Sequence, residues 1–103
     1  MSVFIIKRSG AQLSEDEKSL IRDVVKGKGR INVINVADNI SLSEQEEISL
    51  KISSQKIREK VIIVMFTYPP ILLARLTVCA STSLMCELYL VVDDSGSLKL
   101  VSI

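Results

Sequence analysis

Residues 61–80 have the sequence VIIVMFTYPPILLARLTVCA, and this segment is the main evidence for the fold class. Its first six residues are an uninterrupted apolar run, which is typical of a strand covered on both faces. Tyr68-Pro69-Pro70 breaks the run, and proline suits the first turn of a helix because its missing N–H needs no partner there. This break and Arg75 disfavour a membrane span. The stretch therefore predicts a buried strand over 61–66 and an apolar helix over 71–80.

The chain before this stretch predicts a strand–helix–strand unit. Val3–Lys7 is a β-branched and aromatic run, typical of a first strand, and Arg30–Ala37 alternates as a second strand would. Between them Ser14 and Glu17 have the spacing of a capping box at a helix start. The helix is expected to end at two glycines, with lysines in its last turn: Gly27, Gly29, Lys26 and Lys28.

The pattern of residues 40–60 is compatible with either a helix or a strand. Ser43 and Glu46 have the spacing of a second capping box, and Ile48 and Ile52 are four residues apart, as in a helix. Ile48, Leu50 and Ile52 also alternate, as in a strand. The need for a crossover between parallel strands favours a solvent-facing helix with one narrow apolar stripe.

The last part of the chain predicts two further strands. Residues 86–92 form the fourth strand, 93–96 a turn and 97–103 the fifth strand. The whole chain, residues 1–103, is therefore expected to be a single Rossmann-like α/β domain. Its mostly parallel sheet has the order βαβαβαβ along the chain and ends in a C-terminal β-hairpin.

The composition of the chain excludes several classes of function. The net charge of +1 gives no global field for duplex DNA, and 48% hydrophobic residues in a chain of 103 favour a homodimer or a higher homo-oligomer. The chain has no histidine, and Cys79 and Cys86 lack the pattern of a zinc site or a disulfide framework, so we predict neither a metal nor a cofactor. Met1–Lys7 has no features of a signal peptide. We expect a cytoplasmic protein with no membrane association.

Ligands of open parallel sheets bind outside the carboxyl ends of the strands. The loops expected there carry side chains that suit an anionic ligand: a guanidinium, hydroxyls, amides, a glycine for close approach and a flat aromatic face. Two of these loops lead into helix N-termini, which favour phosphate. Asp93 and Asp94 lie in a predicted turn and are not favoured as catalytic carboxylates. The candidate ligand-binding residues are Arg8, Ser9, Gly10, Gln12, Asn39, Thr67 and Tyr68.

Two parts of the chain resemble a known family. Val61–Thr67, the apolar helix after it and Glu87–Leu98 are similar to the C-terminal half of CARF domains, the Rossmann-like sensors of cyclic oligoadenylates in type III CRISPR systems. Lys7–Ser14 resembles the opening of the small stand-alone CRISPR accessory proteins of this class. Of the Thr-Gly-Gly-Thr turn usual in CARF domains, only Thr67 is present.

The resemblance implies a C2 dimer whose first-strand and third-strand loops surround a two-fold cyclic ligand, such as cyclic tetra-adenylate. It implies either sequestration of this signal or its cleavage by a metal-independent ring nuclease. The absence of histidine favours binding without cleavage. A protein-interaction module without a nucleotide ligand is the alternative from another class.

Overall fold

The computed structural model describes residues 1–27 and 29–103, so the expected place of Lys28 in the first helix lies outside the described residues. Strands and helices alternate in the predicted order. Their bounds are β1 Ser2–Arg8, α1 Glu15–Val25, β2 Arg30–Val36, α2 Leu42–Gln55, β3 Val61–Met65, α3 Pro70–Thr82, β4 Cys86–Asp94 and β5 Ser97–Ser102.

The strands form one sheet in the order β2-β1-β3-β4-β5. The pairs β1–β2, β1–β3 and β3–β4 are parallel, and β4–β5 is antiparallel. The predicted α/β class, with a mostly parallel sheet and a C-terminal hairpin, is confirmed. The chain leaves β1 toward β2 and returns past β1 to β3, so the strand order reverses between β1 and β3.

The helices cover opposite faces of the sheet. Residues of α1 pack with Val3, Ile5 and Val64 on one face. Residues of α2 and α3 pack with Phe4, Ile6 and β3 residues on the other. This division follows from right-handed crossovers, because α1 and α2 connect strands in opposite directions along the sheet. The central strands β1 and β3 are consequently buried from both sides.

The capping box of α1 is confirmed. The Ser14 hydroxyl accepts a hydrogen bond from the Glu17 backbone N–H at 3.1 Å, and the Glu17 carboxylate accepts one from the Ser14 N–H at 2.8 Å. At the other end Lys26 takes the left-handed conformation with φ 53° and donates its N–H to the Arg22 carbonyl. The helix therefore ends at Val25, and Lys26, predicted in the last turn, is instead the left-handed cap that precedes the expected stop at Gly27.

Residues 42–55 form a helix, but the predicted capping box at Ser43 and Glu46 is wrong. The cap is Ser41, whose hydroxyl accepts from the Glu44 N–H at 3.2 Å. Both serines precede a glutamate by three residues. A turn in which Ile40 donates to the Ala37 carbonyl brings the chain to the helix start at Ser41, and Ile40 packs on the core.

The apolar helix α3 is buried along one side only. Leu72, Leu76 and Cys79 face the core, whereas Val78 is 60% exposed. Within residues 1–27 and 29–103, no helix has the length and apolar character needed to cross a bilayer.

Candidate functional site

The carboxyl ends of β1 and β3 lie side by side. The strands run parallel in a register that pairs Ile6 with Met65, and the Phe66 N–H donates to the Ile6 carbonyl at 2.8 Å. The loops that follow therefore leave from the same edge of the sheet, where the strand order reverses. We call residues 8–12, 38–39 and 67–68 at this edge the rim.

The end of β2 is bound to the loop after β1 by contacts of Arg8 and Ser9. The Ser9 N–H donates to the Val36 carbonyl at 2.8 Å, and the Arg8 guanidinium donates to the Asp38 carboxylate at 2.7 Å. This hydrogen bond and the charge of Asp38 raise the pKa of Arg8. Asn39 is exposed beside Asp38. An anion that binds Arg8 must therefore compete with the Asp38 carboxylate.

The loop after β1 turns sharply at Gly10, whose φ is 81°. The left-handed conformation favours glycine there. The Ala11 N–H donates to the Arg8 carbonyl at 3.2 Å, and the Lys7 ammonium donates to the Ala11 carbonyl. Lys7 thus adds a second positive charge to the rim. Ser9 and Gln12 are exposed on the same loop.

The N-terminus of α3 does not offer free N–H groups to a ligand. Pro69 and Pro70 have none. The Ile71 and Leu72 N–H groups both donate to the Gln45 side-chain oxygen at 3.0 Å, and the Leu73 N–H donates to the Pro69 carbonyl. The expectation that this helix end favours phosphate is therefore wrong, because a buried side chain of α2 already occupies its donors.

The N-terminus of α1 is also unsuited to an anion. Its capping box uses the Ser14 and Glu17 N–H groups, and Glu15, Asp16 and Glu17 place three carboxylates in its first turn. These charges stabilise the helix but repel phosphate. Both expectations for helix ends fail for the same reason: each end is capped by side chains. Recognition at the rim must use side chains and loop amides.

Tyr68 reaches across the edge of the sheet toward β4. Its hydroxyl donates to the Val91 carbonyl, and burial is the main cause that raises the pKa of the phenol. Tyr68 as a whole residue is 39% exposed, so part of this anchored side chain is accessible beside Thr67. Thr67 is half-buried and does not cap α3, whose N-cap residue is Pro69.

The structure thus places the seven predicted residues in the three loops at one edge of the sheet. Lys7, Asp38 and Gln45 are not among the site residues that the sequence predicts. Lys7 and Asp38 lie at predicted strand ends, so their positions in the sequence could have placed them in the site. No nearby residue indicates the role of Gln45, because the N–H groups that it caps are more than 25 residues away.

The rim is a polar, partly cationic surface without an acid–base pair. Within the described part of the chain, no three His, Cys, Asp or Glu side chains converge as metal ligands would. Three surface cavities of about 300 to 380 Å³ lie elsewhere, on the α2 and α3 face or beside α1. The rim can therefore hold a ligand by charge, hydrogen bonds and stacking at an open edge.

Comparison of the chain with protein-family models, with curated proteins and with solved structures finds no match. Fold and site together define an α/β domain with a mostly parallel sheet and a polar rim at the point where the strand order reverses.

Proposed function

We propose that this protein binds cyclic oligoadenylate, with cyclic tetra-adenylate as its ligand, and sequesters this signal in the cytoplasm as part of type III CRISPR defence. The observation that carries the proposal is the parallel pairing of β1 and β3. It brings the loop with Arg8 and the loop with Tyr68 to the edge where Rossmann-like domains bind nucleotides. The CARF resemblance supplies the kind of nucleotide.

Each part of the ligand has a suitable group at the rim. Arg8 releases the Asp38 carboxylate and binds a phosphate group of the cyclic nucleotide instead. Charge-assisted hydrogen bonds of this kind are strong. Gly10 permits close backbone approach. The exposed face of Tyr68 stacks on an adenine, while its hydroxyl stays on Val91. Ser9, Gln12, Asn39 and Thr67 supply hydroxyls and amides for the ribose and base edges.

A homodimer suits this ligand because a ring with two-fold symmetry meets the same groups on each rim. Binding is favoured over cleavage. The chain has no histidine, which is the commonest general base in enzymes. A ring nuclease of this kind would depend on positioning alone.

Titration with cyclic tetra-adenylate in a calorimeter tests the proposal, with chromatography of the nucleotide afterwards. We expect binding and an intact ring. Arg8→Ala should weaken binding by about 1–3 kcal/mol, because it removes a charge-assisted contact. Its folding stability should change by less than about 0.5 kcal/mol, since the Arg8–Asp38 pair is exposed. Arg22→Ala, an exposed change on α1, is the matched control.

Tyr68→Phe and Tyr68→Ala separate stacking from the hydroxyl contact. The Tyr68→Phe variant keeps a flat ring and should retain most of the affinity, whereas the Tyr68→Ala variant should lose it. Wild-type affinity in the Arg8→Ala variant removes Arg8 from the site. No binding at micromolar ligand overturns the proposal, and linear products would replace sequestration by ring cleavage.

A further inference from the structure

A cavity of about 320 Å³ lies between β2 and the C-terminal half of α2, at the end of the sheet opposite the rim. Ser2 and Arg30, which line it, are the first residues of β1 and β2, so the cavity lies where these parallel strands begin. Two buried side chains, those of Ser2 and Phe4, form its floor. The cavity is therefore a concave site that shares no residue with the rim.

The lining of this cavity is positively charged. It includes three cationic side chains, those of Arg30 on β2, Lys51 on α2 and Arg58 after α2. Among the described residues that line the cavity, Glu59 is the one carboxylate, so three positive charges face one negative charge. Glu59 is also engaged, because its carboxylate accepts from the Arg30 guanidinium at 2.6 Å and from the Gln55 amide at 2.7 Å. Two positive charges in the lining are left without a counter-charge.

These two charges belong to Lys51 and Arg58. Within residues 1–27 and 29–103, neither side chain forms a salt bridge or a hydrogen bond, although Glu47 precedes Lys51 by one turn of α2. The exposed Arg75, in contrast, forms a salt bridge with Glu46. Cations that line one cavity repel each other, and an anion bound between them relieves this repulsion. The cavity therefore has the electrostatic character of an anion-binding site.

The surroundings of the cavity do not cancel its charge. The C-terminus of α2 contributes about half a negative charge, which is less than the two full charges of Lys51 and Arg58. Further lysines lie at the ends of α1 and α2, namely Lys26 and Lys56. The first turns of the same helices, at the rim end, carry carboxylates instead: Glu15, Asp16, Glu17 and Glu44. The net charge of +1 is thus unevenly distributed, and a positive field in a cleft draws anions to it.

The lining favours a phosphate group over a single carboxylate. Two guanidinium groups and one ammonium group suit an anion with two negative charges and several acceptor oxygens. A volume of about 320 Å³ is at the low end for ligand cavities, so the site fits a small molecule. Asn32 and Gln55 also line the cavity, and their amides can bind hydroxyl groups on the rest of that molecule.

We propose that this cavity binds a small phosphorylated molecule, with its phosphate group between Lys51 and Arg58. Arg30 donates a further hydrogen bond, because one of its amino groups holds Glu59 and its other N–H groups remain for the phosphate. The inference does not rest on the binding of cyclic nucleotide at the rim. The two sites have no residue in common, so failure of either proposal leaves the other intact.

Titration of the ¹⁵N-labelled chain with sodium pyrophosphate, followed by amide NMR spectra, tests the inference. Saturable shifts should be concentrated at residues 30–32 and 51–59, and the rim loops should be unaffected. Calorimetry of the Lys51→Gln and Arg58→Gln variants should show binding weakened about tenfold or more in each, because each loses a charge-assisted contact. Circular dichroism checks that both variants are folded.

Lys56→Gln is the matched control. Lys56 lies between Lys51 and Arg58 in the sequence but lines the other cavity, between α2 and α3, so its loss should change the affinity by no more than about twofold. Arg8→Ala should leave pyrophosphate binding unchanged, which separates this site from the rim. Sodium acetate, a monoanion, should produce no saturable shifts.

Four results would each overturn the inference. The first is the absence of saturation at about 5 mM pyrophosphate, since even weak specific sites have dissociation constants in the millimolar range. The second is wild-type affinity in both the Lys51→Gln and Arg58→Gln variants. The third is a set of shifts confined to the rim. The fourth is small shifts spread over all exposed cations, which would indicate an adventitious ion only.

Discussion

At the scale of single residues, Gln45 connects the start of α2 to the start of α3. It is 6% exposed, its oxygen accepts from the Ile71 and Leu72 N–H groups at 3.0 Å, and its amide donates to the Ile40 carbonyl at 3.3 Å. One side chain thus caps α3 and joins it to the start of α2. The cap is required because Pro69, the N-cap residue of α3, has no side-chain acceptor.

Replacement of Gln45 by alanine should lower the free energy of unfolding by about 2 kcal/mol, because buried N–H groups lose their acceptor. Urea denaturation measures this change. Gln12→Ala, an exposed rim variant, should differ from wild type by less than about 0.5 kcal/mol. Equal stability of the Gln45→Ala variant and wild type would show that water replaces the side chain at this helix end.

Cys86 is a buried cysteine whose thiol is hard to deprotonate. Burial, and after it the hydrogen bond with Cys79, raises the pKa of its thiol to about 12. The folded chain therefore keeps this proton where the unfolded chain loses it. This group makes the free energy of unfolding fall as the pH rises above about 9, and it contributes no change at lower pH.

At pH 8 the folded protein should react very slowly with a disulfide reagent, since the thiolate is the reactive species. Both Cys79 and Cys86 are buried, and both should react at once after unfolding in guanidinium. The Cys86→Ala and Cys79→Ala variants assign the two signals. Rapid labelling of Cys86 in the folded state would mean that the strand β4 opens locally.

At the scale of elements, the start of α2 shows how tertiary position selects between equivalent signals. Ser41 and Ser43 each precede a glutamate by three residues, but only Ser41 lies at the end of the turn from β2. Ser41 caps the helix, and Ser43 becomes its second residue.

Ser41→Ala should consequently lower the free energy of unfolding by about 1 kcal/mol, the usual cost of a lost N-cap. Ser43→Ala should leave it nearly unchanged or raise it slightly, because alanine has the higher helix propensity. Thermal or urea denaturation of the two variants compares them directly. A larger loss for Ser43→Ala would place the helix start two residues later.

At the scale of the whole molecule, the order of the strands sets which parts are most stable. β1 and β3 lie in the middle of the sheet, and the residues Val3–Ile6 and Val61–Met65 are all buried. β2 is an edge strand on which Ile31 and Val33 are 54% and 49% exposed. Cooperative opening should therefore begin at the edges of the sheet.

Amide hydrogen exchange should show this gradient. The amides of β1 and β3 should exchange only through global unfolding, and the hydrogen-bonded amides of β2 should exchange at least about tenfold faster. Mass spectrometry of peptic peptides resolves the two strands. Equal protection of β1 and β2 would contradict the prediction and indicate that another chain covers the β2 edge.

Local sequence pattern was sufficient for most elements, as the apolar run at residues 61–66 and the prolines at the start of α3 illustrate, but residues 40–60 were compatible with a helix or a strand. Hydrophobic pattern and caps such as Ser14 act over a few residues, so they can be derived from the chain alone. The rim residues could also be placed at strand ends, since their positions follow directly from the predicted strands. The spacing of serine and glutamate could not show that Ser41 rather than Ser43 caps α2. No sequence pattern could show that Gln45 caps the N-terminus of α3.

Local patterns in the sequence were enough to predict an α/β chain with polar loops after its first three strands, because propensity and burial pattern act between near neighbours. Three features depend on tertiary packing: β1 lies between β2 and β3, Asp38 pairs with Arg8, and Gln45 of α2 caps α3. These contacts join residues from 27 positions apart, for Gln45 and Leu72, to 59 positions apart, for Ser2 and Val61. They depend on how the elements pack, which no local pattern specifies.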